Sequence, residues 1–206
     1  MQSAVSHPSF FAQAPSIRVR DPLAHFLGAA TGGIFEYGYA DAVKLAGHSC
    51  PTVASAYLMT RAALAALYGE SLPERGAVRV ELRDAATEGV TGVIGNVMAL
   101  LTGAAGEGGF KGIGGYFDRR GLITYGVPMA GDARLTRLDN GAAVEVSARL
   151  DRIPGDPRAS RLLARCIGGQ ASEQEEEEFH ALWQGRVQRV LQHADDADVI
   201  VVERRS

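Results

Sequence analysis

Residues 44–69 read KLAGHSCPTVASAYLMTRAALAALYG, and the way this stretch folds decides most of the architecture. From Pro51 onward it is rich in alanine, leucine and methionine, with no proline or glycine until Gly69. That composition predicts a long helix over about Pro51–Tyr68 that glycine terminates. Proline at the first helical position puts Cys50 at the N-cap. An imidazole and a thiol, His48 and Cys50, therefore lead a helix otherwise built for burial. Unpaired amide hydrogens at a helix start favour negative charge, so sulfur there is stabilised as the anion that binds metals or attacks electrophiles. Gly47 permits a tight bend that lets the two side chains converge. The spacing alone also fits a small buried cysteine beside a hydrogen-bonded histidine.

Outward from this helix, "AVRVELR" alternates Val78, Val80 and Leu82 with Arg79, Glu81 and Arg83, a strand with one face in the core. An apolar, glycine-containing helix comes next, around residues 90–104, with Val93, Ile94, Val97 and Leu101 on one stripe. "GLITYGV" and "ARLTRL" read as strands, and "DNG" turns the second into "AAVEVSARL". Asp156-Pro157 starts a further helix that stops at Gly168-Gly169. Ser172 and Glu175 form a capping box for the next one, and the acidic run "EQEEEEF" suits the first turns of a helix. "VIVVE" is a closing strand. This order predicts an α+β fold with helices on one face of a mixed, mainly antiparallel sheet, and a C-terminal helical extension. The expected division is an N-terminal arm (1–20), a core (21–153), and C-terminal helices with a closing strand packed on that core (154–206). Phe10 and Phe11 are the arm's only strong anchors.

A chain of 206 residues, 46% hydrophobic and 22% charged, is long enough for one sizeable core with an appendage. Its net charge of −3 gives no basic field for nucleic acid or an anionic membrane. Two cysteines, Cys50 and Cys166, make no disulfide framework. The opening residues carry no basic leader or long apolar segment, and no run is apolar enough for a membrane span. The expected setting is the reducing cytoplasm.

"AGHSCPTVASAYLM", followed by "VRVELRDAATEGVTGVIGNVMALLTGAAGEGGFKGIGGYFDRR", resembles the FmdE-like family of formylmethanofuran dehydrogenase subunits. That family's motif runs His-Gly-His-x-Cys-Pro-Gly into a helix, then a strand and a second helix ending in Leu-Thr-Gly. The resemblance covers roughly residues 35–150. It implies a small α+β fold with a mixed sheet, similar in outline to the catalytic domain of glyceraldehyde-3-phosphate dehydrogenase, and a homodimer. It also implies a bound divalent transition metal, commonly zinc, at His48 and Cys50. The chain departs from the motif at Ala46, which replaces its first histidine, and at Thr52, which replaces its last glycine. Val93, Asn96 and Ala104 stand about where typical members carry a cysteine, an aspartate and another cysteine. No C-terminal zinc ribbon is present. Further ligands are then expected from elsewhere in the chain, from a partner protomer, or from solvent or substrate.

Several other residues are candidates for a small-ligand site. Tyr57 and Arg61 share a side of the main helix with Cys50 and Ala54, where they would line a cavity and hold an acidic ligand, or serve as core and surface. Asn96, in an apolar helix, is expected to be buried and to need hydrogen-bond partners. Lys111, in the glycine-rich "TGAAGEGGFKGIGGYF", would offer a positive charge to an anionic substrate. That segment lacks the Gly-Lys-Ser/Thr of a phosphate loop. The pocket is expected between the main helix and this turn. Glu36 and Glu88 are possible carboxylate ligands or bases.

Three functions are consistent with these residues. The first is a metal-binding protein or metal-dependent enzyme acting on a small molecule, with the metal polarising substrate or activating water. The second is a metal-free enzyme with Cys50 as catalytic nucleophile or redox thiol and His48 as its base. The third is an accessory module serving a larger oxidoreductase.

Overall fold

The computed structural model describes residues 7–205, so residues 1–6 of the expected arm lie outside the described residues. The fold is α+β, with a five-stranded sheet, a separate two-stranded ribbon, and helices packed on one sheet face. The main helix, α3, spans Pro51–Tyr68, with Cys50 as N-cap and Gly69 closing it. The ribbon precedes it and consists of β1 (Ile17–Arg20) and β2 (Ile34–Tyr37), antiparallel, with the short α1 (Pro22–Phe26) between them. Helix α2 (Tyr39–Ala46) then leads into the His48–Cys50 turn.

After α3 come β3 (Val78–Leu82), α4 (Thr91–Thr102), β4 (Ile123–Thr124), β5 (Ala133–Arg137) and β6 (Ala143–Ala148). The extension adds α5 (Pro157–Ile167) and α6 (Glu173–Gln192), and β7 (Ile200–Arg205) returns to pair with β6. The sheet order is β4-β3-β5-β6-β7, and only β3–β4 is parallel.

Register explains why one face is dry. Val80 lies opposite Leu135, Leu135 opposite Val144, and Val146 opposite Val202, so apolar rows run across the sheet. Helix α3 lies across β6 and β7, and its Leu58, Met59 and Leu64 are buried in the core. Burying each such side chain stabilises the fold by about 1.5–3 kcal/mol. The other face carries charge in cross-strand pairs: Arg134 bonds Glu145 at 2.8 Å, and Arg205 reaches the same carboxylate. Glu145 is only 3% exposed. Burial opposes its charge, but Arg205, Arg134 and the Gly131 amide outweigh that and hold its carboxyl down at about 2.

The arm contributes more than two anchors. Ile17 and Val19 are buried while Arg18 and Arg20 face out, an alternation that becomes a strand once β2 supplies its partner. Phe11 packs edge-on against Tyr39 at 4.9 Å. "GLITYGV", in contrast, keeps only Ile123–Thr124 as strand, because Gly121 and Gly126 bend the chain at positive φ on either side.

Candidate functional site

The turn between α2 and α3 is built from both ends. Gly47 takes φ 73° as the C-cap of α2, a left-handed conformation that glycine adopts without a Cβ clash. The chain then reverses into the extended N-cap at Cys50, whose sulfur accepts the Val53 amide at 3.4 Å. The His48 ring folds back, and its Nδ1–H donates to the Ala46 carbonyl at 3.0 Å. Since a carbonyl only accepts, this bond fixes the proton on Nδ1 and leaves Nε2 with its lone pair in the neutral ring. Nε2 lies 3.4 Å from Cys50 Sγ. Cys50 is 8% exposed, and His48 above it faces solvent.

Ser49, between the two, is clamped on several sides. Its hydroxyl donates to Gln184 Oε1 at 3.0 Å and receives the Tyr39 hydroxyl at 3.0 Å. Trp183 Nε1–H and Gln184 Nε2–H both donate to its carbonyl, at 2.9 and 3.3 Å. Burial pushes the Tyr39 hydroxyl far above its ordinary value, so it stays protonated and donates. The turn is thus fastened to α6, an element more than 120 residues further along the chain. Sequence reasoning missed Trp183 and Gln184 as site residues, because nothing local marks which turn of α6 will meet Ser49.

The His48–Cys50 separation suits a shared ion. Donors about 2.3 Å (sulfur) and about 2.0–2.1 Å (nitrogen) from one tetrahedral zinc lie roughly 3.6 Å apart. Among the described residues no group of three or more His, Cys, Asp or Glu side chains is placed to hold an ion. The pair would thus offer an ion two protein donors.

The remaining candidates do not gather here. Tyr57 is wholly buried, and its hydroxyl is taken by the Pro15 and Tyr37 carbonyls at 2.7 and 2.9 Å. It holds the arm and ribbon against α3, the core role weighed above, with its hydroxyl already satisfied and not offered to a ligand. Arg61 pairs with Asp195 at 2.7 Å on the surface and does not line the cavity of about 390 Å³ described below. Asn96 is exposed, where burial was expected. Helix α4 packs Val97, Met98 and Leu101 inward, and a helix of 12 residues on a domain surface keeps one stripe in solvent. Lys111 is exposed on the glycine-rich segment. Glu36 is exposed on β2, opposite Arg18.

The largest cavity among those found, about 390 Å³, is not between α3 and the glycine-rich turn. It is lined by Thr52, Ser55 and Met59 of α3 and by Glu88, Thr91 and Ile94 at the start of α4. Strand β3 returns the chain to the level of Thr52, so α4 begins beside the first turns of α3 and carries the glycine-rich segment to the opposite end. At about 100° per residue, Thr52, Ser55 and Met59 fall roughly half a turn around α3 from Cys50, Ala54 and Tyr57. Cavity and His–Cys pair thus occupy opposite sides of one helix. Glu88 reaches this cavity and not the pair.

Compared with models of known protein families and with curated proteins, the chain matches none. Among the described residues no helix is long and apolar enough to cross a membrane.

Proposed function

We propose that this chain is a metal-binding protein resembling the FmdE-like family of formylmethanofuran dehydrogenase subunits, with His48 and Cys50 as ligands for a divalent transition metal, zinc in the first instance. The observation that carries this reading is the 3.4 Å between Cys50 Sγ and His48 Nε2, with Nδ1 tied to Ala46. That bond orients the ring and keeps its free lone pair beside the sulfur, the arrangement in which an outer partner fixes a histidine ligand. Bound there, the metal would supply Lewis acidity to a small molecule entering from the solvent side. The Val53 amide supports negative charge on sulfur, and the clamp on Ser49 keeps both donors from drifting apart.

The same contact is also within reach of a sulfur–imidazole hydrogen bond, which favours a second reading, a metal-free thiol enzyme with His48 as base. Elemental analysis of protein purified without added metal separates the two. About one zinc or similar ion per site-bearing chain, lost in both His48→Ala and Cys50→Ser, is the expected result. Metal-free protein whose Cys50 alone is rapidly alkylated would instead support the thiol enzyme. A homodimer, with the partner or the substrate completing the coordination, belongs to the same proposal, and light scattering at micromolar concentration measures it.

A further inference from the structure

We infer that a second ligand site lies at the far end of the fold, in the cleft of about 200 Å³ beneath the hairpin of residues 110–119, and that it takes a small planar molecule bearing a carboxylate or phosphate. The cleft is lined by Pro22, Glu74, Arg75 and Gly76 on one side and by Tyr116, Phe117 and Arg119 on the other. The reading does not depend on the metal proposal.

The first argument is an excess of buried donors. A guanidinium has five N–H donors. Arg119 is 7% exposed, and its hydrogen bond among the described residues is to Asp21 Oδ1, at 2.8 Å. Arg75 bonds Asp21 Oδ2 at 2.7 Å and the Leu100 carbonyl at 2.9 Å, while its Nε is buried without a partner. One buried arginine and one whose side chain is 17% exposed thus share one carboxylate, and the unpartnered Arg75 Nε calls for an explanation. An anion in the cleft would share the two guanidinium charges that line it and that Asp21 alone now balances.

The second argument is the effort spent on placing Arg119. A Cβ on Gly76 would come within 2.5 Å of the Arg119 guanidinium, and one on Gly103 would collide with its Nη1. Both glycines sit at positive φ, so the chain leaves a slot of just this depth. Phe117, next to the cleft, has φ 65° and is the one non-glycine residue in that region among those described. Such strain collects where a surrounding structure holds a ligand-binding shape.

The third argument gives the body of the ligand. Ile113 and Tyr116 bond each other's backbone across Gly114-Gly115, making a tight hairpin that projects Tyr116, 72% exposed, at the mouth of the cleft. An exposed tyrosine above buried arginines suits a flat ring with an anionic head. Glu74 opposes this, since it lines the cleft and has no ion pair among those described. It is half-exposed and screened by water, whereas Arg119 is buried and its charge is screened less. Asp118 is already engaged by Arg120 at 2.6 Å.

Isothermal titration calorimetry on the full chain tests the inference, with phenyl phosphate, benzoate and inorganic phosphate as probes. Phenyl phosphate or benzoate should bind saturably below roughly 10 mM, and whichever binds tighter identifies the head group. Glu74→Gln should tighten that probe several-fold. Tyr116→Ala should weaken it by roughly fivefold and leave inorganic phosphate unchanged. Both substitutions fall at positions with solvent access, so the fold is retained. No saturable binding by any probe, or binding indifferent to either substitution, would overturn the site.

Discussion

Replacing Asp21 with alanine is expected to remove about 3–5 kcal/mol of stability, a large share of the 5–15 kcal/mol typical of a folded domain. The residue is 4% exposed and does two jobs at once. Its Oδ1 accepts the Leu23 and Ala24 amides at 3.0 and 3.2 Å, capping α1. Both oxygens also hold an arginine, Arg119 at 2.8 Å and Arg75 at 2.7 Å. Loss of the cap alone costs about 1 kcal/mol. The larger part comes from stranding the Arg119 charge in its glycine slot. Urea unfolding should show a lower midpoint at unchanged slope. Asp21→Asn, which keeps an acceptor for the cap, should fall between. Asp21→Ala combined with Arg119→Met should recover part of the loss, since no buried charge is then left unpaired. A loss near 1 kcal/mol with no recovery would mean that Arg119 reaches solvent.

The second large effect concerns a helix outside the resembling core. Trp183→Phe with Gln184→Ala leaves His48 and Cys50 intact but removes both donors to the Ser49 carbonyl and the acceptor of its hydroxyl. Residues that orient metal ligands without touching the metal typically matter by about 10–100-fold in affinity. If the pair holds zinc as proposed, chelator competition should show binding weakened by roughly that factor in the double variant. Phe at 183 keeps most of the packing against Phe179, whose ring lies 5.6 Å from the indole. Unchanged affinity would show that the turn holds its shape without α6.

Much of the fold was legible because its signals are local. Pro51 and Gly69 bracket α3, Val78, Val80 and Leu82 alternate, and Ser172 with Glu175 caps α6; each lies within a few residues of what it specifies. The ribbon strand at Ile17–Arg20 was not legible, since four residues in a polar arm become a strand only when β2 lies beside them. The same limit governs the candidate sites. The approach of His48 and Cys50 depends on Gly47 and a short turn, and could be anticipated from their spacing. The side of α3 that bears Tyr57 could also be read, but not that the arm fills it. Asn96 was misplaced because an apolar helix does not announce which of its stripes meets solvent. The Asp21–Arg119 contact spans 98 positions, and no spacing rule reaches that far.

Zinc-edge X-ray absorption on protein purified without added metal and then loaded with one equivalent of zinc tests the His48–Cys50 pair most directly. One sulfur at about 2.3 Å and at least one imidazole nitrogen at about 2.0–2.1 Å, lost in Cys50→Ser and His48→Ala respectively, is the predicted spectrum. A shell of oxygen and nitrogen alone, unchanged by either substitution, would contradict it.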